Sequence, residues 1–270
     1  MPTRGRAPRG VDVTTPNVAR IYDYWLGGKD NFAADREAAE KILGIVPEAR
    51  LAARANREFL GRAVRFLAKN GVRQFIDIGA GLPTQNNVHE VAHAVIPDAR
   101  VVYVDNDPVV RVHAQALLHT VETTTFIEAD LREPEKIIEH PDLQKLIDFD
   151  EPVAVLIVTT LHFVTEGEEP YEIVSTFREA MGPGSYLALS HVTADPRPQA
   201  EAPVTEIYSR ATAPMVPRTR EQFTRFFEGL DLVEPGVVFA PQWRPDAPDA
   251  INVTTDPEVS FMFAGVGRKS

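Results

Sequence analysis

Apolar residues occur along most of this chain in short runs, separated by stretches in which they recur at helical spacing. The runs predict strands near residues 73–78, 100–105, 124–128, 152–158 and 184–191, and the stretches between them predict helices. Strands that alternate with helices form a parallel sheet through right-handed crossovers, with helices on both faces. The pattern therefore predicts an α/β fold for the central part of the chain.

The residues before the first predicted strand differ, because they show helical spacing and no strand-like run. Residues 14–72 are predicted to form an N-terminal helical cap, and Thr15 is expected to cap its first helix. Residues 1–13, rich in Arg, Pro and Gly, are predicted to be a disordered tail. The core is predicted over residues 73–270, with a proline-rich insertion at about residues 192–217.

Composition narrows the classes of function. A net charge of −11 opposes binding to phosphate backbones, so no nucleic-acid partner is expected. The absence of cysteine excludes disulfides, thiolate metal sites and cysteine nucleophiles. No apolar stretch approaches the length of a membrane span, and no apolar segment follows the N-terminal arginines as in a secretory signal. These features favour a cytoplasmic enzyme that acts on a small molecule.

The most informative segment is residues 74–84, where an apolar run that contains an acid breaks into a glycine-rich turn. Asp77, Gly79 and Gly81 fit the acid-x-Gly-x-Gly-x-Gly turn of the methyltransferase type, in which Pro83 replaces the last glycine. The dinucleotide pattern Gly-x-Gly-x-x-Gly is also incomplete, because Thr84 stands at its third glycine position. A carboxylate near the end of this strand suits the ammonium and sulfonium of S-adenosylmethionine and would repel a pyrophosphate. The turn therefore favours S-adenosylmethionine over a dinucleotide.

Two more acids follow the next two predicted strands. Asp105 can accept hydrogen bonds from the ribose hydroxyls, and Asp130 can accept from the adenine amino group while the Leu131 amide serves a ring nitrogen. Asn106 and Thr159, each beside a strand end, complete the predicted cofactor site. Taken singly, Asp105 can be a helix cap and Asp130 a solvated loop residue. Three acids after three successive strands favour a single site.

The three acids resemble the cofactor site of class I S-adenosylmethionine-dependent methyltransferases. More specifically, residues 17–32 and residues 77–84 are similar to a bacterial methyltransferase family whose substrate is unassigned, and the similarity covers nearly everything from about residue 12. In that family Leu-Pro-Thr is the usual form of the turn, so Pro83 is a family trait. The resemblance implies a Rossmann-like fold with a mostly parallel seven-stranded sheet, S-adenosylmethionine as cofactor, and methyl transfer as the reaction.

The resemblance also implies roles for the cap and for a histidine. In related methyltransferases an N-terminal helical segment folds over the cofactor, and by that analogy Arg20 or one of the tyrosines of the first helix would contact the methionine carboxylate. Tyr24 is the tyrosine assigned to the site, because Tyr22 belongs to the packing stripe of the helix. His162 follows the fourth predicted strand, at the position that flanks the transferable methyl group in class I enzymes. Because an imidazole titrates near neutral pH, His162 is the candidate general base, and His191 is a weaker one. The alternative is a histidine that lines the pocket or serves the fold.

The spacing of His89 and His93 is that of a metal-binding helix face, but no suitable third ligand accompanies them and no metal site is predicted. The acceptor pocket is expected between the cap, residues 159–166 and the insertion, which suits an enclosed small molecule. Two rivals remain: a non-catalytic S-adenosylmethionine-binding protein, and an NAD-dependent oxidoreductase with a pyrophosphate beside Asp77. The sequence leaves open the acceptor, the methylated atom, the use of a base, catalytic competence and the oligomeric state.

Overall fold

Parallel strands form the centre of the sheet in the computed structural model, which describes residues 11–83, 86–118, 121–246 and 256–270. These strands are β1 (Gln74–Ile78), β2 (Arg100–Asp105), β3 (Thr124–Glu128), β4 (Val153–Val158) and β5 (Tyr186–Val192). Each lies within two residues of its predicted bounds. Their spatial order is β3-β2-β1-β4-β5, so the order reverses between β1 and β4. In such sheets ligands bind at this point, outside the carboxyl ends of the strands.

An antiparallel edge completes the sheet beside β5. β6 (Asp231–Leu232) and β7 (Val238–Phe239) both pair with β8 (Met262–Arg268), which is antiparallel to β5. The described residues form eight strands where the sequence predicts seven, because the outermost position is divided between β6 and β7. Between these two strands Pro235 has no N–H to donate and Gly236 has a φ of 82°, so this stretch does not continue the ladder.

Helices cover both faces of the sheet, as the alternating pattern predicts. In the described part of the chain they are α1 (Val18–Leu26), α2 (Ala33–Ile45), α3 (Ala49–Lys69), α4 (Val88–His93), α5 (Pro108–Leu118), α6 (Pro134–Ile138), α7 (Pro141–Leu146), α8 (Pro170–Ala180), α9 (Glu201–Tyr208) and α10 (Arg220–Thr224). One face is covered by α3 and α4, through residues such as Phe59 and Val88. The other is covered by α6, α7, α8 and α10, through residues such as Ile137 and Phe177. The main hydrophobic core therefore consists of two clusters, one on each face.

The first two helices pack against the insertion rather than against the sheet. Ile21 and Trp25 of α1 and Ile42 of α2 share a hydrophobic cluster with Val204 and Tyr208 of α9. Most of α3 instead contributes to the cluster on the sheet face. The predicted cap thus divides into α1 and α2, which join the insertion, and α3, which joins the core.

The start of α1 differs from its prediction. Its N-cap is Asn17, whose Oδ1 accepts the backbone N–H groups of Ala19 at 2.9 Å and Arg20 at 3.1 Å. The prediction that Thr15 caps this helix is wrong, because the helix starts later and the Thr15 carbonyl accepts from the Arg20 guanidinium at 3.0 Å. Gly27 ends the helix in the left-handed region, with a φ of 83°.

The N-terminal segment is described from residue 11, so residues 1–10 of the predicted tail lie outside the described residues. Within the described part, the Asp12 carbonyl accepts from the Arg20 guanidinium at 3.0 Å, and the Asp12 carboxylate accepts from the Thr14 N–H at 2.8 Å. The last residues of the predicted tail therefore pack against α1. None of the described helices has the length and apolar character needed to cross a membrane.

Candidate active site

A cavity of about 450 Å³ lies at the carboxyl ends of β1, β2 and β4, between the sheet, α1, α3 and the insertion. Its volume is typical of sites for small molecules. Of the residues predicted for the site, Tyr24 does not line the cavity, and Thr84 of the glycine turn lies outside the described residues. The predicted residues that do line it are Arg20, Asp77, Gly79, Gly81, Asp105, Asn106, Asp130, Leu131, Thr159 and His162.

The glycine turn follows β1 and is tied to the end of β2. The Gly79 N–H donates to the Val104 carbonyl at 2.8 Å, and the Gly81 N–H donates to Asp105 Oδ2 at 2.8 Å. Both glycines have positive φ, 73° and 66°. A Cβ on Gly79 would also lie 2.2 Å from Thr160 Oγ1, whereas a Cβ on Gly81 would meet nothing within 4 Å. The space beside Gly81 is therefore open toward the cavity.

Asp77 is buried on the face of the sheet that α3 covers. Burial raises the pKa of its carboxyl to about 7, the nearby Asp105 charge adds to this rise, and Arg57 of α3 opposes it. A group that loses solvation in this way is costly to ionise unless a positive charge lies beside it. The site therefore favours a ligand that brings a cationic group to Asp77.

Asp105 ends β2 with both carboxylate oxygens directed at backbone amides. Oδ2 accepts from Gly81 at 2.8 Å and Oδ1 accepts from Asp107 at 2.9 Å, yet burial raises the pKa of Asp105 to about 6. Each carboxylate oxygen has two acceptor positions, so Asp105 can still receive hydrogen bonds from a ligand. The residue that caps α5 is Asp107, which accepts the Val109 N–H at 2.7 Å, and not Asp105.

Asp130 follows β3 and joins two loops at the cavity. Its Oδ2 accepts from the Asn106 side chain at 2.8 Å, and its Oδ1 accepts from the Arg132 backbone at 2.9 Å. Burial raises the pKa of Asp130, but the hydrogen bonds from Arg132 and Asn106 outweigh it and keep this pKa below its usual range. Asp130 is therefore ionised, and its charge is balanced by Arg132 at 3.1 Å.

Arg20, the arginine of α1 that was predicted to contact the cofactor, uses its side chain to connect α1 to the rest of the cap. Arg20 is 3% exposed, and its Nε forms an ion pair of 2.9 Å with the fully buried Asp35 of α2. Asp35 also accepts the backbone N–H groups of Asn17 at 2.8 Å and Phe32 at 2.7 Å. Arg20 thus lines the cavity while its polar atoms hold α1, α2 and the N-terminal segment together.

The tyrosine predicted on α1 faces away from the cavity, which corrects the assignment of Tyr24. Its hydroxyl donates to Glu40 on the exposed surface at 2.6 Å. Residues two apart on a helix point to nearly opposite sides. Tyr22 therefore lines the cavity instead, where its hydroxyl donates to the Ala53 carbonyl at 2.9 Å and accepts from Asn56 at 3.0 Å.

Arg57 of α3 is a cavity residue that the sequence did not identify. It lies half-buried beside Asp77 and donates to the Asn86 carbonyl at 3.3 Å. Five arginines occur on α3, and no local pattern separates this one from the others. Arg57 could not be identified from the sequence, because only the packing of α3 over β1 brings it near Asp77.

Thr159 is held in a strained backbone conformation directly after β4. Its φ is 57°, in the left-handed region that β-branched residues avoid. The Thr159 N–H donates to Ser190 Oγ at 3.0 Å, and Ser190 Oγ donates in turn to Asn56 Oδ1 at 2.5 Å. The Asn56 side chain also donates to Thr159 Oγ1 at 3.3 Å. This network fixes the end of β4 to α3 and β5, and such stored strain is typical of functional sites.

His162 lies in a short 3₁₀ turn after β4 and is 5% exposed. Burial lowers its pKa to about 3, and the Arg218 charge lowers it further. Its Nδ1 has no hydrogen-bond partner among the described residues. The expectation of a general base with a near-neutral pKa is therefore not met, because His162 is a neutral and weakly basic imidazole that faces the cavity.

His191, the second histidine considered as a base, is fully buried and fixed in one tautomer. Arg218 Nη1 lies 2.9 Å from its Nε2, and since a guanidinium only donates, Nε2 accepts. The proton is then on Nδ1, which donates to the Val192 carbonyl at 2.7 Å. Both nitrogens are used, and burial holds the pKa of His191 well below its usual value. His191 therefore has a structural role.

Arg218 is a second residue that the sequence did not identify. Its side chain is fully buried at the end of the insertion and donates to the carbonyls of Leu161 at 3.1 Å and Val164 at 3.0 Å. It also donates to Glu166 at 2.7 Å and to His191 at 2.9 Å. Arg218 thus ties the turn that carries His162 to β5.

The two histidines at metal-like spacing on α4 have structural partners. His89 Nδ1 contacts the Tyr103 hydroxyl at 2.8 Å, and His93 Nε2 contacts the Ala99 carbonyl at 2.8 Å. Among residues 11–83, 86–118, 121–246 and 256–270, no group of three histidine, cysteine or acidic side chains is arranged to hold a metal ion.

The sheet order, the glycine turn and the acids at successive strand ends define a Rossmann-like α/β protein of the class I methyltransferase type. The chain belongs to the S-adenosyl methyltransferase family, whose family model matches residues 4–270. It is therefore an S-adenosylmethionine-dependent methyltransferase, as the sequence predicts. The family confirms the predicted methyl donor and enzyme class over the NAD-dependent rival, and leaves the acceptor unassigned.

Two solved structures are similar to the chain over nearly their whole length. A candidate methyltransferase from Thermobifida fusca YX is 42% identical with a TM-score of 0.91, and the match covers 97% of this chain and 98% of that one. A DUF574 family protein from Streptomyces avermitilis MA-4680 is 42% identical with a TM-score of 0.90, covering 96% and 99%.

More distant matches support the fold alone. An O-methyltransferase family protein from Burkholderia thailandensis has a TM-score of 0.53 at 14% identity, with 92% of this chain and 64% of that one covered. No functionally curated protein matches the chain. The similar structures thus agree on the fold, and their names give no methyl acceptor.

Proposed function

We propose that this methyltransferase methylates a small molecule that is enclosed between the sheet edge, α1 and the insertion. One observation carries the proposal: a single cavity is bordered by the acids at the strand ends and also by Leu26 of α1, Tyr208 of α9 and Met215 of the insertion. A donor and an acceptor can therefore share one enclosed space, in which water is excluded and the reacting atoms are aligned. The cytoplasm is the proposed location.

The donor end of the cavity, defined by Asp77, Gly81 and Asp105, is proposed to hold S-adenosylmethionine. Asp77 and Arg57 line the same cavity, and the Arg57 charge acts on Asp77, so the two would match the ammonium and carboxylate of the methionine part. The burial of Asp77 and Asp105 supports this fit, because a positive ligand group and hydroxyl donors would offset the cost of ionising them. A pyrophosphate at the same place would add negative charge to two buried acids.

The ribose and adenine parts are proposed to follow the next two strand ends. Asp105 would accept from the ribose hydroxyls, with Asn106 beside it, while Asp130 and the Leu131 backbone would serve the adenine. These assignments are supported by the position of all four residues on the cavity wall. Thr159 would border the methionine part from the end of β4.

When bound, S-adenosylmethionine supplies a methyl group activated by a sulfonium. The residues of the chain then have to bind the donor and the acceptor, orient them toward each other and shield them from water. Thr159 and Asn56 fix the end of β4 beside the donor end, while Arg20 holds α1 over the cavity. His162 lines the cavity but is too weakly basic to hold a proton at neutral pH, so we assign no proton to it.

The two parts of the predicted N-terminal cap, which pack differently, are also proposed to have different functions. α1, α2 and the insertion form a cover, because their apolar residues pack on one another, whereas α3 forms part of the core and of the cavity wall. The Gly27 turn after α1 would give this cover its freedom to move. This assigns residues 14–45 to the cover and the rest of the predicted cap to the core.

The acceptor class can be tested by transfer of a labelled methyl group. A metabolite extract of Streptomyces avermitilis, the source of a 42% identical relative, is divided by ultrafiltration and incubated with the enzyme and methyl-labelled S-adenosylmethionine. We expect enzyme-dependent label in the small-molecule fraction. Label confined to protein or nucleic acid would contradict the proposal, and Gly79→Val is the matched inactive control because its side chain would overlap Thr160.

A further inference from the structure

The part of the cavity farther along the insertion has a different chemistry from the donor end. It is bordered by His162, Phe163, Val192, Tyr208, Met215 and Met262, which we define as the acceptor end. None of these six side chains carries a charge at neutral pH, because burial keeps the His162 imidazole neutral and the Tyr208 phenol protonated. The acceptor end is therefore apolar, with two uncharged polar groups.

The walls of the acceptor end are aromatic and flexible. The rings of His162 and Phe163 have centroids 4.3 Å apart, and those of Phe163 and Tyr208 are 5.6 Å apart. Met215 and Met262 are buried nearby, and thioethers adapt to ring surfaces and make favourable contacts with them. Such a wall favours a planar aromatic ligand.

The His162 imidazole lines the cavity and is 5% exposed, and no hydrogen bond acts on its pKa. Its Nδ1 is closed to solvent and lacks a partner within the described residues, so only the part of the ring that lines the cavity can meet a ligand. A largely buried polar group without a partner is destabilising, so a ligand that supplies the partner gains affinity. A hydroxyl can serve either tautomer of the imidazole, because it both donates and accepts.

The charged residues on the cavity wall disfavour an anionic acceptor. Arg20 is paired with Asp35, Arg132 is paired with Asp130 and Glu168, and the Asp23 carboxyl accepts from Asn31 at 2.8 Å. An anion would add its charge to the acids of the donor end without a dedicated cation in the acceptor end.

We propose that the acceptor end binds a neutral aromatic molecule that carries a hydroxyl group, and that the His162 imidazole recognises this hydroxyl. This proposal rests on the proposed function, in which the donor occupies the end near Asp77 and Asp105. His162 is then a specificity-determining residue for the acceptor. Tyr208, from the insertion, lines the same cavity.

The proposal is tested with three probes of similar shape: 2-naphthol, 2-methylnaphthalene and 2-naphthoate. The full-length protein is first titrated with S-adenosylhomocysteine by calorimetry, and each probe is then titrated into the saturated complex. We expect 2-naphthol to bind about tenfold or more tightly than either of the other probes, since one buried hydrogen bond and the absence of charge both favour it. No binding of 2-naphthol, or tighter binding of 2-naphthoate, would overturn the proposal.

Variants of His162 separate recognition of the hydroxyl from nonspecific hydrophobic binding. His162→Leu should reduce the preference for 2-naphthol over 2-methylnaphthalene from about tenfold to about onefold, and His162→Asn should restore part of it. His140→Leu is the matched control, because His140 lies at the start of α7 and does not line the cavity. A preference that survives His162→Leu would overturn the role of His162. Failure of S-adenosylhomocysteine to bind wild-type protein would instead contradict the donor end.

Discussion

The two ends of the cavity are built in different ways. At the donor end, Asp77 and Asp105 belong to neighbouring parallel strands, and the backbone N–H groups of Gly81 in the glycine turn and of Asp107 fix the Asp105 carboxylate. At the acceptor end, His162 and Tyr208 come from distant segments, and the support behind His162 is the buried Arg218. The sheet positions the residues of the donor end, whereas the packing of the cover positions those of the acceptor end. The comparison predicts that variants can impair either end with little effect on the other.

The largest effect is expected when the support of the acceptor end is removed. Arg218→Met would leave the Leu161 and Val164 carbonyls and His191 Nε2 buried without their donor. We expect a loss of about 2–4 kcal/mol in the free energy of unfolding, measured with urea, of which the exposed Glu166 contributes little.

The control for this variant is Arg210→Met, since Arg210 pairs with Glu206 on the exposed surface. Its effect should stay within about 0.5 kcal/mol. At temperatures where Arg218→Met remains folded, it should still bind S-adenosylhomocysteine within about threefold of wild type. Equal destabilisation by both variants, or loss of donor binding in the folded variant, would break the comparison between the two ends.

At the donor end, Asp105→Asn should weaken S-adenosylhomocysteine binding by about 1–3 kcal/mol, or roughly 5- to 150-fold. The reason is loss of a charged acceptor for the ribose hydroxyls beside the glycine turn. Calorimetry measures the affinity, and Asp142→Asn on the exposed surface is the matched control. Unchanged affinity would refute the ribose assignment.

The affinity of the donor end for S-adenosylmethionine should depend on pH, whereas the uncharged acceptor end should not titrate in the same range. Burial raises the pKa of Asp77 to about 7 and that of Asp105 to about 6, so both lose protons between pH 5 and 8. The ionised forms attract the cationic donor, and affinity for S-adenosylmethionine should therefore rise by about tenfold over this range. Asp77→Asn should flatten the calorimetric profile, and an unaltered profile in that variant would count against Asp77.

The same raised pKa values lower the stability of the unliganded protein as the pH rises. Because their folded-state pKa is raised, Asp77 and Asp105 bind protons more tightly in the folded protein. Their contribution to stability is present below pH 4 and is lost as the pH rises through 6 and 7. Urea unfolding without ligand should therefore show a smaller decline of stability between pH 4 and 7 in Asp77→Asn than in wild type.

The smallest effects separate the two tyrosines of α1. Tyr22→Phe removes a buried hydroxyl that bonds Ala53 and Asn56, so a loss of about 1 kcal/mol in unfolding free energy is expected. Tyr24→Phe removes an exposed bond to Glu40 and should change stability and donor affinity by less than about 0.5 kcal/mol. A larger effect of Tyr24→Phe on donor binding would restore the sequence-based assignment.

The positions of the residues at the donor end could be predicted from the sequence because the information for them is local. An acid inside an apolar run, two glycines after it and acids after the next strands are enough to place Asp77, Gly79 and Asp105 at one edge of a parallel sheet. The same logic failed for Tyr24, because the neighbouring Tyr22 has an equally plausible chemistry and only packing decides which one faces the cavity.

The acceptor end could be predicted only as a set of segments. Residues 159–166 and the insertion do border the cavity, but Arg57 and Arg218 show no local signal among the 28 lysines and arginines of the chain. Their roles depend on which arginine becomes buried, which is a property of tertiary packing. The near-neutral pKa expected for His162 failed for the same reason, since burial and the Arg218 charge lower it.

The most direct test is a crystal structure of the complex with S-adenosylhomocysteine. We predict that the ribose hydroxyls lie within hydrogen-bond distance of Asp105, that the methionine ammonium lies beside Asp77, and that open space separates the sulfur from His162. A ligand that instead lies against His162 and Tyr208, with Asp105 in contact only with the protein, would contradict the division of the cavity into a donor end and an acceptor end.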